Sequence, residues 1–216
     1  MLKLLSAIVL SSVLSVSAML GLVHLTPKAV EDFRPIQEAS RKVVGETVGP
    51  FGEMMTASCS AVSIAPDIHL TAAHCDFANL TVDGAKATVL KKDVEGDLML
   101  VHADTSDSFV PVSKRAAQVG DRVVANGFPF GEFIGFVPVL TEGVVSGLVK
   151  GKAEYGTKRF NRWLVMNLII DGGNSGGGIF SKVDGKWVVV SVVSMGTKHL
   201  SLSPNTHMLH GFLERK

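Results

Sequence analysis

The stretch Asp171-Gly-Gly-Asn-Ser-Gly-Gly-Gly178 places one serine among five glycines, directly before an apolar run. Because glycine has no Cβ, a substrate carbonyl has room to approach the Ser175 hydroxyl, and neighbouring backbone N–H groups are free to turn toward one point. The N–H groups of Gly173 and Ser175 are therefore candidates for holding a developing oxyanion. A flexible glycine-rich hairpin turn has the same composition, so this stretch alone leaves both interpretations open.

A second segment, Thr71-Ala-Ala-His-Cys75, places a histidine at the end of an apolar run. A general base must lie close to its nucleophile and be held in place. Two alanines leave space beside His74, which makes it the candidate base. A single histidine in an apolar setting is more often a hydrogen-bonded core residue, so its combination with Ser175 carries the hypothesis.

The third candidate is a carboxylate that orients the imidazole from a buried position. Asp97 begins the run Asp-Leu-Met-Leu-Val101, where an inward-pointing carboxylate would need a partner such as an imidazole N–H. Asp93 is the rival, but it lies among Lys91, Lys92 and Glu95, a pattern typical of a solvated turn. The sequence therefore favours Asp97.

The first 25 residues resemble an export segment. Lys3 is followed by a stretch, Leu4 to Leu25, without Asp, Glu, Lys or Arg. Val16 and Ala18 fit the small-residue preference of a signal peptidase, which predicts a signal peptide over 1–18 and a secreted or periplasmic protein. The alternative is an uncleaved anchor over 4–25, because the apolar stretch is about 20 residues long and would tether the protein to a membrane.

The two cysteines, Cys59 and Cys75, are 16 residues apart. An even cysteine count in an exported chain predicts a disulfide rather than a metal or redox site. Such a bridge would clamp the backbone beside His74. No metal or other cofactor is expected, since His199, His207 and His210 lack the Glu-bearing helical spacing of a zinc hydrolase.

Composition points to an all-β domain. The chain has 216 residues with 22 glycines, 8 prolines and many short Val-rich runs. Turn signals separate the predicted strands, and Pro204 to Lys216 has helical spacing. We expect a linker or short helix before a single domain over 43–216, with 19–42 as linker. The formal net charge of +1 gives no reason to expect a nucleic-acid partner.

In their order, the motifs TAAHC, DLML and GNSGG resemble those of the chymotrypsin-like (trypsin-fold) serine proteases. Other stretches, Asn126-Gly-Phe-Pro-Phe-Gly131 and Thr141-Glu-Gly-Val-Val-Ser-Gly147 among them, are similar to the bacterial HtrA/DegP branch. The resemblance covers about residues 43–213. It implies two antiparallel six-stranded β-barrels with the site between them, and a short C-terminal helix.

Several features depart from these families. HtrA proteins usually carry a C-terminal PDZ domain, and we expect none within these 216 residues. Digestive enzymes place an aspartate before the nucleophile, whereas this chain has Asn174, so activation by a new amino terminus at Val43 is not expected. The pair Arg41-Lys42 is interpreted as a solvated part of the linker.

The resemblance also indicates the substrate pocket, formed by Ile169 and Ile170 at its base and by Ser194-Met-Gly196 beside it. Without a carboxylate at the base, a buried substrate cation would lack a counter-charge, so we expect cleavage after small or medium apolar residues. The predicted function is hydrolysis of peptide bonds in protein or peptide substrates through an acyl-enzyme. A protease-like protein without turnover, serving as a binding or scaffolding protein at the cell envelope, is the alternative, and no oligomeric state is predicted.

Overall fold

Strands dominate the computed structural model, which describes residues 31–105, 107–149, 153–155, 158–160, 163–197 and 199–215. Two helices flank the strands, α1 (Arg34–Ala39) and α2 (Thr206–Glu214). The strands of the first half are β1 (Ser40–Val48), β2 (Met54–Ala65), β3 (Ile68–Thr71), β4 (Ala78–Val82), β5 (Ala85–Lys86), β6 (Thr88–Asp93) and β7 (Leu98–His102). Those of the second half are β8 (Arg122–Gly127), β9 (Val139–Leu148), β10 (Ala153–Tyr155), β11 (Lys158–Phe160), β12 (Trp163–Met166), β13 (Gly178–Val183), β14 (Lys186–Val192), β15 (Met195–Gly196) and β16 (Ser201–Pro204).

These strands form two antiparallel sheets, one from each half of the chain. The first has the order β5-β4-β1-β2-β3-β7-β6 and the second β14-β13-β8-β9-β12-β16-β15, while β10 and β11 form a separate hairpin. The predicted all-β fold with a C-terminal helix is confirmed. Each sheet has seven strands rather than the expected six, because the two-residue strands β5 and β15 each extend one edge.

The tight hairpins follow the Asp-Gly signals in the sequence. Asp83 and Gly84 have φ of 49° and 89°, and Asp184 and Gly185 have φ of 51° and 76°. Two consecutive residues with positive φ form the turn whose twist matches that of the flanking strands, and Asp-Gly is among the residue pairs that adopt it most readily. These turns set the register of β4 with β5 and of β13 with β14.

Three clusters of buried side chains hold the domain together. One lies inside each half, and the third joins both sheets and both helices. In the third cluster Leu70 and Leu98 come from the first sheet, Phe180 from the second, and Ile36 and Phe212 from the helices. Because the two halves share this core, residues at the facing ends of their strands are held at fixed separations.

The domain begins about ten residues earlier than the sequence predicted. The compact unit spans Phe33–Lys216. Ile36 and Ala39 of α1 are fully buried, and β1 lies between β2 and β4. Arg41 is not a solvated linker residue, since it is 6% exposed and its guanidinium donates to the carbonyl oxygens of Glu38 and Ser108. Burial lowers the pKa of Arg41 below its usual range.

The predicted signal peptide over 1–18 and the alternative anchor over 4–25 lie outside the described residues. Within the described ranges, no helix combines the length and apolar character that crossing a membrane requires.

Candidate active site

His74 and Asp97 form a hydrogen-bonded pair at one end of the first sheet. His74 lies in a short 3-10 turn after β3, and Asp97 immediately precedes β7. The His74 Nδ1 atom is 2.9 Å from both carboxylate oxygens of Asp97, and the His74 backbone N–H donates to Asp97 Oδ1 at 3.0 Å. The pairing of β3 with β7 sets this distance, because Thr71 lies opposite Met99. The carboxylate thus fixes the ring orientation and the Nδ1–H tautomer.

The Asp97 carboxylate is buried, with 1% of the side chain exposed. Ser194 Oγ, from the connection between β14 and β15 in the second half of the chain, also donates to Asp97 Oδ2. The buried charge is therefore stabilised by hydrogen bonds from both halves of the domain. Asp97 itself has φ of 54°, a left-handed conformation that aspartate tolerates better than most residues and that turns its side chain toward His74.

Asp93, the rival carboxylate, has a different structural role. Its Oδ1 accepts the Gly96 N–H at 2.9 Å, and its Oδ2 accepts from Arg215 at 2.6 Å. Asp93 therefore shapes the turn that presents Asp97 and attaches the end of the chain to it.

The disulfide predicted between Cys59 and Cys75 is confirmed. Both cysteines are buried, and Cys75 directly follows His74. The sulfur of Cys75 lies 3.8 Å from the carbonyl oxygen of Ser175. The bridge therefore places the segment that carries His74 against the segment that carries Ser175.

The Ser175 loop joins β12 to β13 in the second sheet. The Asn174 N–H donates to the Asp171 carbonyl at 3.1 Å, and Gly173 has φ of 97°, a value that few residues other than glycine adopt. A Cβ at Gly173 would lie 2.4 Å from the Phe128 carbonyl oxygen. Both the turn and this close approach therefore require glycine here.

The peptide bond between Gly172 and Gly173 has a defined orientation. The Gly172 carbonyl accepts the Phe130 N–H at 2.7 Å, so the Gly173 N–H points the opposite way across the trans peptide. Within the described ranges, neither the Gly173 N–H nor the Ser175 N–H donates a hydrogen bond. Both donors are available to an external oxygen atom.

The Ser175 hydroxyl is not hydrogen-bonded to His74. In the described part of the chain, no residue forms a hydrogen bond with the Ser175 Oγ atom. The His74 side chain is 38% exposed, in contrast to Asp97 behind it. The serine and the outer face of the imidazole thus both remain open to a ligand.

Ser60 on β2 is a positioning residue that the sequence reasoning missed. Its N–H donates to the Ser175 carbonyl and its Oγ donates to the Gly173 carbonyl, both at 2.7 Å. Its Oγ also accepts the Phe128 N–H at 2.8 Å. Ser60 and Ser175 are distant in sequence, and no local pattern around Ser60 indicates this contact.

A cleft of about 470 Å³ opens beside Ser175. Every residue predicted for the substrate pocket lines it, together with Ser175 and four further residues. The full lining is Ile169, Ile170, Asp171, Gly172, Ser175, Val193, Ser194, Met195, Gly196 and Thr197. The Ile170 side chain packs against Gly196 so closely that a Cβ there would lie 2.3 Å from Ile170 Cγ1. Ile170 therefore fills part of the cleft. The sequence reasoning found no carboxylate at the pocket base, and the structure adds Asp171 to the lining.

Two groups of described side chains have the spacing of metal ligands. The first is Cys59, His74 and Cys75, but its two sulfurs are joined in the disulfide. The second is Asp67, His102 and Asp104, which lies at the opposite end of β7 from Asp97. His207 and His210 lie on α2, and His199 precedes β16. None of these groups supplies a ligand set at the Ser175 cleft.

Comparison with known proteins agrees with this geometry. Residues 57–190 match the family model described as trypsin-like peptidase domain. Among solved structures, the serine endoprotease from Yersinia pestis is similar with a TM-score of 0.66 and 19% identity, over 84% of this chain and 64% of that chain. The inactive form of Rv3671c from M. tuberculosis, a serine-to-alanine mutant, has a TM-score of 0.65 and 19% identity, over 84% of this chain and 88% of that one.

At this level of identity the two solved structures establish a shared fold alone. The chain spans somewhat less than two thirds of the Yersinia pestis protein. No curated protein matches the sequence.

Proposed function

Because this chain belongs to the trypsin-like peptidase domain family, we propose that it is a serine endopeptidase with His74, Asp97 and Ser175 as its catalytic triad. The observation that carries the proposal is the buried Asp97 carboxylate bonded to His74 Nδ1 at 2.9 Å, beside the loop that bears Ser175. With Nδ1 bonded to Asp97, Nε2 is the His74 nitrogen available to accept the proton of Ser175.

In the proposed reaction, Ser175 Oγ attacks the carbonyl carbon of the substrate while His74 Nε2 takes its proton. The N–H groups of Gly173 and Ser175 hold the oxyanion of the tetrahedral intermediate. His74 then gives the proton to the leaving amine, and the peptide bond breaks to form an acyl-enzyme. Water, deprotonated by His74, hydrolyses this ester and restores Ser175.

The cleft supports a preference for small or medium apolar side chains next to the scissile bond. Ile170 packs against Gly196 and occupies part of the cleft, which we expect to disfavour aromatic or long side chains. Replacing Ile170 by alanine is expected to increase cleavage after Phe and Leu relative to Val. Ile169→Ala is the matched control, because Ile169 lines the same cleft but is 64% exposed. A peptide with Arg next to the scissile bond as the best wild-type substrate would contradict this preference.

Export is part of the proposal. The confirmed disulfide is typical of oxidising compartments, which agrees with the apolar amino-terminal segment and supports a secreted, periplasmic or membrane-tethered protease. The natural substrates would then be proteins or peptides outside the cytoplasm.

The decisive experiment is labelling of the purified full-length protein with a fluorophosphonate serine probe. We expect wild-type labelling to be lost in Ser175→Ala and in His74→Ala, because one removes the nucleophile and the other its base. Circular dichroism of both variants checks that they are folded. A folded, disulfide-bonded wild-type protein that does not react would favour the alternative of a binding or scaffolding protein without turnover.

A further inference from the structure

Among the described residues, a single charged side chain lines the cleft beside Ser175. Of the described residues that line it, Asp171 alone has an acidic or basic side chain, and the others are apolar or uncharged. Asp171 is exposed. Nowhere in the described ranges does its carboxylate have an ion-pair or hydrogen-bond partner. Among the described residues, no partner neutralises its charge.

The backbone of Asp171 is anchored close to the nucleophile. Its carbonyl accepts the Asn174 N–H at 3.1 Å, which closes the turn that leads into Ser175. The preceding residue, Ile170, is packed against Gly196 on the opposite wall. A negative charge thus stands on the wall of the cleft four residues before Ser175, on a segment fixed at both ends.

The surroundings strengthen the effect of this charge. A substrate in the cleft would displace water from Ile170, Val193 and Met195, and the interaction between charges grows as the effective dielectric falls. We propose that Asp171 is a specificity-determining residue that favours substrates with a cationic residue flanking the apolar one in the cleft. It would also reject substrates with an acidic residue there, because like charges repel. This inference rests on the proposed function, and it adds an electrostatic preference to the apolar one.

The test uses two sets of three peptides that share one apolar residue at the scissile bond. Lys, Gln or Glu precedes that residue in one set and follows it in the other. For the wild-type full-length protein we expect kcat/KM to fall in the order Lys, Gln, Glu in at least one set, with an overall range of roughly tenfold at low salt. Asp171→Asn should reduce this range to about twofold, since it removes the charge and keeps the size of the side chain.

Asp104→Asn is the matched control. It makes the same change in net charge, but Asp104 is 91% exposed, does not line the cleft and lies at the far end of β7 from Asp97. The Asp104 variant should keep the wild-type order of the peptides. Raising the salt to about 1 M, where the Debye length is about 3 Å, should flatten the wild-type order, whereas a purely structural role of Asp171 would be insensitive to salt.

Two outcomes would overturn the proposal alone: wild-type rates that do not depend on the flanking charge, or an order that persists in Asp171→Asn. If no peptide is cleaved and the serine probe does not label Ser175, the proposed peptidase function fails as well. The two failures are therefore distinguishable, because labelling does not depend on the peptide sequence.

Discussion

Ser194→Ala tests whether the two halves of the domain are coupled through the buried carboxylate. Ser194 lies between β14 and β15, is 3% exposed and donates to Asp97, which precedes β7 of the first sheet. A hydrogen bond to a charged group contributes about 1.5–3 kcal/mol. Because alanine leaves part of that charge without its donor, we expect the free energy of unfolding to fall by about 2 kcal/mol. For a domain of this size that corresponds to a decrease in Tm of about 4–8 °C.

The assay is urea unfolding followed by tryptophan fluorescence, with Ser201→Ala as the control. Ser201 is equally buried, but its hydroxyl donates to a neutral carbonyl, that of Met166, at 3.5 Å. Losing that weaker bond should cost about 1 kcal/mol or less. A Ser194→Ala variant that is no less stable than Ser201→Ala would refute the reasoning. The labelling rate of Ser175 should fall in the Ser194 variant alone, because Asp97 is then held less firmly against the imidazole.

Three further predictions concern the disulfide, a buried histidine and the Ser175 loop. Replacing Cys59 and Cys75 together by alanine should lower the unfolding free energy by about 3 kcal/mol in a urea titration, the chain-entropy value for a loop of this length; a loss below about 1 kcal/mol would contradict it. Burial lowers the pKa of His69 below its usual range, although its bond to a backbone carbonyl opposes the shift. Because the unfolded chain then binds a proton more readily than the folded protein, the free energy of unfolding should fall as the pH drops below about 6.5. Urea midpoints at neutral and acidic pH should show this loss in the wild type and a smaller one in His69→Gln, and equal losses would rule it out. A methyl group at Gly173 would clash with the Phe128 carbonyl and displace the N–H group, so Gly173→Ala should slow probe labelling at least about 100-fold, the cost of losing one oxyanion donor. Gly172→Ala has open space around the added methyl group and should stay within a few-fold; similar rates for the two variants would contradict this role of the Gly173 N–H.

The amino-terminal part of the domain was predicted poorly, for a physical reason. The segment around Arg41 and Lys42 looks solvated, because charged residues are rarely buried. In the structure Arg41 is buried within β1, where its guanidinium donates to the carbonyl of Ser108, 67 residues away. A partner at that distance leaves no trace in the local pattern. The first residues of β1 were therefore assigned to the linker, and the segment of α1 was interpreted as a linker or a short helix.

The candidate catalytic residues were identified from sequence because each needs particular immediate neighbours. A serine that must be approached on both sides lies among glycines, and a histidine that must have space lies beside alanines. The preference for Asp97 over Asp93 also followed from local context, since an apolar strand begins directly after Asp97. These requirements involve only a few neighbouring residues, so they are visible in the local sequence.

By itself, the sequence determined the all-β class, the disulfide and the segments that carry His74 and Ser175, because these depend on hydrophobic periodicity, cysteine count and local sterics. Only the tertiary structure decided which groups support them. Ser60 holds the Ser175 loop, Ser194 donates to Asp97, and Asp171 lines the cleft with Ile170. Apart from the neighbours Ile170 and Asp171, these contacts join distant parts of the chain. They arise because the two sheets pack against each other, and the sequence pattern does not show which residues of the two sheets come into contact.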